Sequence, residues 1–264
     1  MTSMPAQREY STGATGPSRS PETAEQRLIF ALDVADSASA LSLVHDLEGL
    51  VSFYKVGYQL LLAEGMPFVR ELTNRGLRVF LDLKMDDVWR TISTSVEQIA
   101  QAGVRFVTIH GSGSTAAAAR EGRGNREYPK ILSLTVLTSL DQEDLVELGL
   151  LRGPGNEARF ERLEDLVLWR AEKALGARCD GLIAAGSDVA ALRAKLGPEP
   201  IIVCPGIRPA GTAKDDQKRT ATPRDAIAAG ADYLVVGRPI RHAQDRKEMA
   251  KSIIADIADG LAAR

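Results

Sequence analysis

The chain has 264 residues, 44% of them hydrophobic and 26% charged, enough apolar material for one large core or two small ones. Its 33 Lys and Arg against 35 Asp and Glu leave a formal charge of −2, so no overall basic field directs it to nucleic acid. No apolar run approaches the ~18 residues of a membrane span, and the two cysteines, Cys179 and Cys204, are too few for a disulfide framework or a metal-ligand cluster.

Residues 1–26, "MTSMPAQREYSTGATGPSRSPETAEQ", are rich in Ser, Thr, Pro and Gly and contain no apolar run. They lack the apolar core of a secretory signal, and their three glutamates argue against a transit peptide. The stretch reads as a flexible extension ahead of a single domain at 27–264. The sparse cysteines fit a reducing cytoplasm and read as small buried hydrophobes.

From Arg27 on, short β-rich runs alternate with amphipathic stretches. The predicted strands are "LIFALDV" (28–34), "FYKVG" (53–57), "LRVFLDLK" (77–84), "RFVTIHG" (105–111), "KILSLTVL" (130–137), "DGLIAA" (180–185), "PIIVCPGI" (200–207) and "DYLVVGR" (232–238). Between them lie helical stretches such as "SASALSLVHDLEGL", opening at Ser37 as its N-cap, and "TISTSVEQIAQAG". Eight strand-then-helix repeats with near-continuous apolar strands imply a parallel sheet covered on both faces. At this length the α/β architecture that fits best is a single-domain (β/α)8 TIM barrel. A doubly wound open sheet is the alternative, but "ALDVADSASA" lacks the glycine fingerprint expected after its first strand.

Polar residues gather where these strands end: Asp33, Lys55, Asp82, Lys84, His110, Ser139, Arg208 and Arg238. In a barrel those ends form the active-site face. On the third strand, residues two apart share a face, so Leu81 and Leu83 point to the helices while Asp82 and Lys84 point to the barrel axis. Two opposite charges there can satisfy each other; a register-fixing ion pair and a solvated helix face are the simpler alternatives. Lys55 and Asp33 end the two preceding strands and reach the same cavity. A lysine among carboxylates is favoured in its charged form, which suits a proton donor rather than a Schiff-base nucleophile. Asp87 lies beyond the strand and need not share the cavity of its own barrel.

"DLKMDDVWRT" (82–91) carries a D-x-K-x-x-D pattern, and the chain after residue 26 resembles the orotidine 5′-phosphate decarboxylases. The resemblance runs through "ALDV", "YKVG", "VTIHG", "LTVLTSL", "CPGIRPAG…DQKRTATP" and "VVGRPI" in order. It implies a cofactor-free, metal-free lyase of pyrimidine synthesis that converts orotidine 5′-phosphate to uridine 5′-phosphate and carbon dioxide. It also implies a homodimer with shared active sites. Lys84, Asp82, Asp87 and Lys55 are then the catalytic charge array, with Asp87 and Thr91 supplied by the neighbouring subunit. Asp82 would face the substrate carboxylate, and Lys84 would stabilise and protonate the carbanion at C6. Asp33 and Lys55 would bind ribose hydroxyls and Ser139 the pyrimidine. Gln217, Arg238, Gly237 and Pro205 complete the implied substrate contacts, with Arg238 gripping the phosphate through paired hydrogen bonds.

Alternative roles stay open for several of these. A surface arginine is the lesser reading of Arg238 and a solvated loop residue that of Gln217, while Arg208 reads first as a loop-stabilising side chain and His110 as a hydrogen-bonded structural histidine. Asp86 and Glu48 read as solvated. Where the family pattern runs D-I-P-N-T, this chain has "DVWRT", so Trp89 and Arg90 alter the local turn. Two rival functions remain: a related Mg²⁺-dependent sugar-phosphate lyase, and a catalytically dead phosphate-binding barrel.

Overall fold

A computed structural model describes residues 22–110, 113–211 and 219–264. Eight parallel strands close into a barrel in sequence order. They are β1 (Leu28–Ala31), β2 (Phe53–Gly57), β3 (Arg78–Met85), β4 (Phe106–Ile109), β5 (Lys130–Leu134), β6 (Gly181–Ile183), β7 (Ile201–Cys204) and β8 (Tyr233–Val236). Each pairs with the next, and β1 pairs with β8 to close the ring. All eight expected strands are present, most of them shorter at the C-terminal end than their apolar runs, because the polar rim residues leave the ladder. The open-sheet alternative is excluded by the closure of β8 on β1.

The core has two layers. Between strands and helices lies the larger one, containing Leu81 and Leu83 of β3. Inside the barrel lies a smaller cluster that includes Ile29, Phe53, Phe80, Phe106, Tyr233 and Val235. The alternation expected on β3 therefore holds: leucines face the helices, and Phe80 with Asp82 faces the axis. At the N-terminal mouth, Phe53, Phe106 and Tyr233 pack ring against ring with centroids 5.1–5.9 Å apart. Arg78 covers Phe53 at 4.6 Å and pairs with Glu22 at 3.2 Å, sealing that end.

Residues 22–26, at the end of the stretch read as an extension, include the start of a helical turn (Ala24–Arg27), and Gln26 accepts a hydrogen bond from Arg78 through its carbonyl. Residues 1–21 lie outside the described residues. The helix after β1 spans Ser37–Asp46, and its cap is Asp36 rather than Ser37. The Asp36 carboxylate accepts from the Ser39 amide at 2.7 Å and from its hydroxyl at 3.1 Å, and a carboxylate at this point also complements the helix dipole. Ser37 instead is the first helical residue and donates its amide to Glu64 at 2.7 Å. Among the described residues, no helix is long and apolar enough to cross a membrane.

Candidate active site

The barrel interior changes character one strand-period above the apolar layer. The side that carries Ile29 and Ala31 on β1 continues to Asp33, Phe53 on β2 continues to Lys55, and Phe80 on β3 continues to Asp82. The same continuation leads from Phe106 to Thr108 on β4, from Val203 to Pro205 after β7 and from Val235 to Gly237 after β8. Period-two geometry therefore places a set of polar or small residues on the C-terminal rim.

Three of them, Asp33, Lys55 and Asp82, form a chain of alternating charge with Lys84. Lys55 Nζ lies 2.8 Å from Asp33 Oδ1 and 3.9 Å from Asp82 Oδ2. Lys84 Nζ lies 2.8 Å from the other Asp82 oxygen, Oδ1. Lys55 is the deepest, with 12% of its side chain exposed; Asp82 follows at 16% and Lys84 at 30%, while Asp33 is 42% open. Two cations and two anions cancel, so no uncompensated charge is carried below the rim. Breaking such a pair by removing one partner costs about 3–5 kcal/mol when fully buried, less at this exposure.

Gly57 sits beside this chain. A Cβ at that position would lie 3.2 Å from Lys55 Nζ and 3.7 Å from Asp33 Oδ1. The absence of a side chain leaves the ammonium its place. Gly237 plays a similar part across the rim, where a Cβ would meet Ala31 at 3.3 Å and Asp33 Oδ2 at 3.8 Å. Gly237 is the N-cap of the short helix Arg238–Arg241, so the implied phosphate end adjoins the first carboxylate of the charge chain. Arg238 is half-buried and Pro205 is half-buried. Arg241 donates to the Asp33 carbonyl at 2.6 Å, fixing the β8 loop to β1; sequence reading gave it no role.

Lys84 reaches Asp82 by an unexpected backbone route. From Leu81↔Val107 to Met85↔Ile109, β3 advances four residues while β4 advances two, so β3 is bulged. Within the bulge Lys84 has φ 47°, a left-handed conformation that costs a non-glycine residue about 1–2 kcal/mol. Two further residues touch the bulge. Thr108, fully buried, accepts from the Lys84 amide at 2.8 Å and donates to Asp82 Oδ1 at 3.0 Å. The Tyr58 hydroxyl donates to the Leu83 carbonyl. Neither was singled out from the sequence; for Thr108 the usable signal was its place two residues after Phe106.

The remaining expected residues are spread around the rim. Asp87 is exposed and turns its carboxylate onto the Val88 amide at 2.6 Å, outside the four-residue chain of its own barrel. Thr91 is exposed on the helix Trp89–Gln101. Trp89 donates to Glu121 at 3.1 Å, which docks the altered turn onto the helix Gly113–Arg123. Ser139 is half-buried in the turn after β5. Gln217 lies outside the described residues. On either side of 212–218, Ile207 bridges to Ala221 and the Arg208 amide donates to the Ala221 carbonyl at 3.0 Å; Arg208 itself is buried. Arg219, also not anticipated singly, pairs with Asp188 at 2.7 Å and donates to the Val136 and Leu137 carbonyls at 3.1 Å. It ties the chain at 219–221 to the turn that carries Ser139.

His110 stands at the rim, and partial desolvation, followed by the nearby Arg170 cation, holds its pKa below the ordinary 6.5. Asp86 is exposed but accepts from the Thr115 hydroxyl at 3.0 Å, and Glu48 is exposed. Both cysteines are free and buried, as expected. Among the described residues, no group of three His, Cys, Asp or Glu side chains is placed to hold a metal ion.

Comparison with known proteins places the chain in a family. A family model described as "Orotidine 5'-phosphate decarboxylase / HUMPS family" matches residues 26–253. An orotidine 5'-phosphate decarboxylase of Nitrobacter winogradskyi is 46% identical over 245 residues, covering 92% of this chain and 98% of that one. The crystal structure of orotidine 5'-phosphate decarboxylase from Lactobacillus acidophilus superposes with a TM-score of 0.75 at 30% identity, covering 88% of this chain and 99% of that one. The enzyme of the same name from Pyrococcus horikoshii gives a TM-score of 0.66 at 26% identity, covering 88% and 99%. With a closed eight-strand barrel, a family model matched over most of its length and relatives aligned almost end to end, the chain belongs to the orotidine 5'-phosphate decarboxylase / HUMPS family.

Proposed function

We propose that the chain decarboxylates orotidine 5′-phosphate to uridine 5′-phosphate and carbon dioxide, in de novo pyrimidine synthesis in the cytoplasm, without metal or organic cofactor. The observation that carries this reading is the Asp33–Lys55–Asp82–Lys84 chain on the rim of a barrel of this family. In the reaction the C6–carboxylate bond breaks, its electron pair stays on C6, and carbon dioxide leaves. The Lys84 ammonium, fixed beside the reacting carbon, stabilises that developing charge and passes a proton to C6. The neutral amine then regains a proton from solvent. Asp82, set against the substrate carboxylate, raises the ground-state energy until carbon dioxide departs, while electrostatic preorganisation by Lys84 stabilises the carbanion; both act in the same direction.

Asp33 and Lys55 hold the ribose, Ser139 the pyrimidine, and Gly237, Arg238, Pro205 and Gln217 the phosphate end. Binding energy from the remote phosphate is then used to assemble the reacting end. The active unit is a homodimer in which Asp87 and Thr91 serve the neighbouring site. Its support is the exposure of Asp87 away from its own charge chain, next in sequence to exposed Val88 and Trp89, with Tyr58 and Leu62 also exposed on the helix after β2.

The test is direct. Purified, chelator-treated protein is mixed with orotidine 5′-phosphate, and the pyrimidine absorbance in the ultraviolet is followed. Turnover that survives the chelator supports the reading. Turnover of a sugar phosphate that needs added Mg²⁺ would favour the HUMPS side of the family.

A further inference from the structure

We infer that Thr108 and Tyr58 are positioning residues for Lys84: together they clamp both ends of the Leu83–Lys84 peptide and aim the lysine ammonium at the reacting carbon. The inference rests on the decarboxylase reading for the identity of the reaction, and on geometry for the clamp itself.

The bulge in β3 takes the Leu83–Lys84 peptide out of the β3–β4 ladder. A peptide released from a ladder inside a protein needs new partners for its N–H and its C=O. Here side-chain hydroxyls supply both. The amide end donates to Thr108 Oγ1 at 2.8 Å, and the carbonyl end accepts from the Tyr58 hydroxyl. The left-handed φ of 47° at Lys84 is held from both sides of the same peptide plane.

Thr108 does more than satisfy the amide. Its hydroxyl proton goes to Asp82 Oδ1 at 3.0 Å, and that same oxygen receives the Lys84 ammonium at 2.8 Å. A closed circuit results: Lys84 amide to Thr108, Thr108 to Asp82, Asp82 to Lys84 ammonium. One hydroxyl sets both the root and the tip of the lysine side chain. A hydroxyl has one proton to give and lone pairs to accept with, and Thr108 uses both functions. It is fully buried, so water cannot take over if it is lost. Branching at Cβ restricts its rotation, which suits a fixed relay better than serine would.

The experiment compares Thr108→Val, Thr108→Ser and Tyr58→Phe with wild type in orotidine 5′-phosphate turnover, alongside crystal structures of wild type and Thr108→Val. Thr115→Val, which removes a different buried threonine hydroxyl, controls for simple loss of stability. Because misplacement of a reacting group by about 1 Å costs ~10²-fold, kcat of Thr108→Val is expected to fall about 30- to 100-fold with KM changed less than about threefold. Thr108→Ser should keep kcat within about threefold of wild type, Tyr58→Phe should lose about three- to tenfold, and Thr115→Val should keep it within about twofold. In the Thr108→Val crystal, Lys84 should leave its left-handed conformation or its ammonium should leave Asp82. Should Thr108→Val fail to fold, the Ser and Phe variants decide: a Tyr58→Phe enzyme with wild-type kcat overturns the clamp. So does an active Thr108→Val enzyme with Lys84 unmoved. Wild-type protein inert toward orotidine 5′-phosphate would instead defeat the decarboxylase reading, and the crystal structures would still report on the clamp.

Discussion

Lys55 lies between two carboxylates, 2.8 Å from Asp33 and 3.9 Å from Asp82, with 12% of its side chain exposed. The deep side of Asp82 is thus compensated before Lys84 is considered. The two lysines are therefore not equivalent. Removing Lys55 takes the 2.8 Å partner from Asp33 and leaves Asp82 to Lys84 alone, whereas removing Lys84 leaves both carboxylates beside the Lys55 ammonium.

From that difference, Lys84→Ala should fold, with a melting temperature within a few degrees of wild type, and should still bind uridine 5′-phosphate. Its turnover of orotidine 5′-phosphate should fall by more than about 10⁴-fold, since under the proposed mechanism it would lose both the charge that stabilises the carbanion and the proton that quenches it. Calorimetric titration and a stopped ultraviolet assay check the two halves separately. A variant that decarboxylates near the wild-type rate would remove Lys84 from the proton-donor role.

Asp87 and Lys84 are expected to serve different sites of the dimer. Asp87→Ala and Lys84→Ala proteins, each inactive alone, should regain activity when mixed and allowed to exchange subunits. A mixed dimer holds one site with both lesions and one with neither, so recovery approaches about a quarter of wild-type activity at full exchange, from half the dimers being mixed. Absence of recovery, with exchange demonstrated by mass labelling, would count against a shared site.

His110 predicts a pH effect with a definite sign. Its folded-state pKa lies below the ordinary 6.5 because desolvation, and then Arg170, disfavour the imidazolium. The unfolded chain then binds more protons than the folded one as pH falls, so stability present above pH ~6.5 is lost as pH drops through the folded-state value. A His110→Asn variant should lose less stability than wild type between about pH 7.5 and about pH 5. Urea midpoints across that range measure the difference, and parallel curves would refute it.

The two thiols should be silent in the native protein. Burial pushes the Cys179 thiol up to about 12, with Asp180 adding to it, and pushes the fully buried Cys204 higher still. Thiolate is the reactive form, so an aromatic disulfide reagent at pH ~8 should titrate neither cysteine in the folded protein and both in denaturant.

The barrel was legible in the sequence because eight apolar, β-rich runs recur with helical stretches between them, and because the polar end of each run marks the rim. Asp82 was legible for the same reason that Leu81 was: period two assigns a face. Lys84 obeyed that expectation at its tip but not along its backbone. No glycine or proline marks the β3 bulge, and the sequence contains no sign that a lysine will take a left-handed φ, because the cause lies across the sheet in Thr108. Threonine inside "FVTI" reads simply as a good strand former. Likewise Gly57 and Gly237 matter for what they leave empty, which only neighbours in space can reveal. The Asp36 cap was displaced by one residue from the expected Ser37, since adjacent Asp and Ser both suit a helix start and only the chain's approach angle decides between them.

The aromatic floor formed by Phe53, Phe106 and Tyr233 turns the barrel into a cup rather than a tube. Whatever enters at the charged rim has to depart by the same doorway. For a reaction that splits one molecule into a gas and a nucleotide, both products would then leave across the charged end by which the substrate came in.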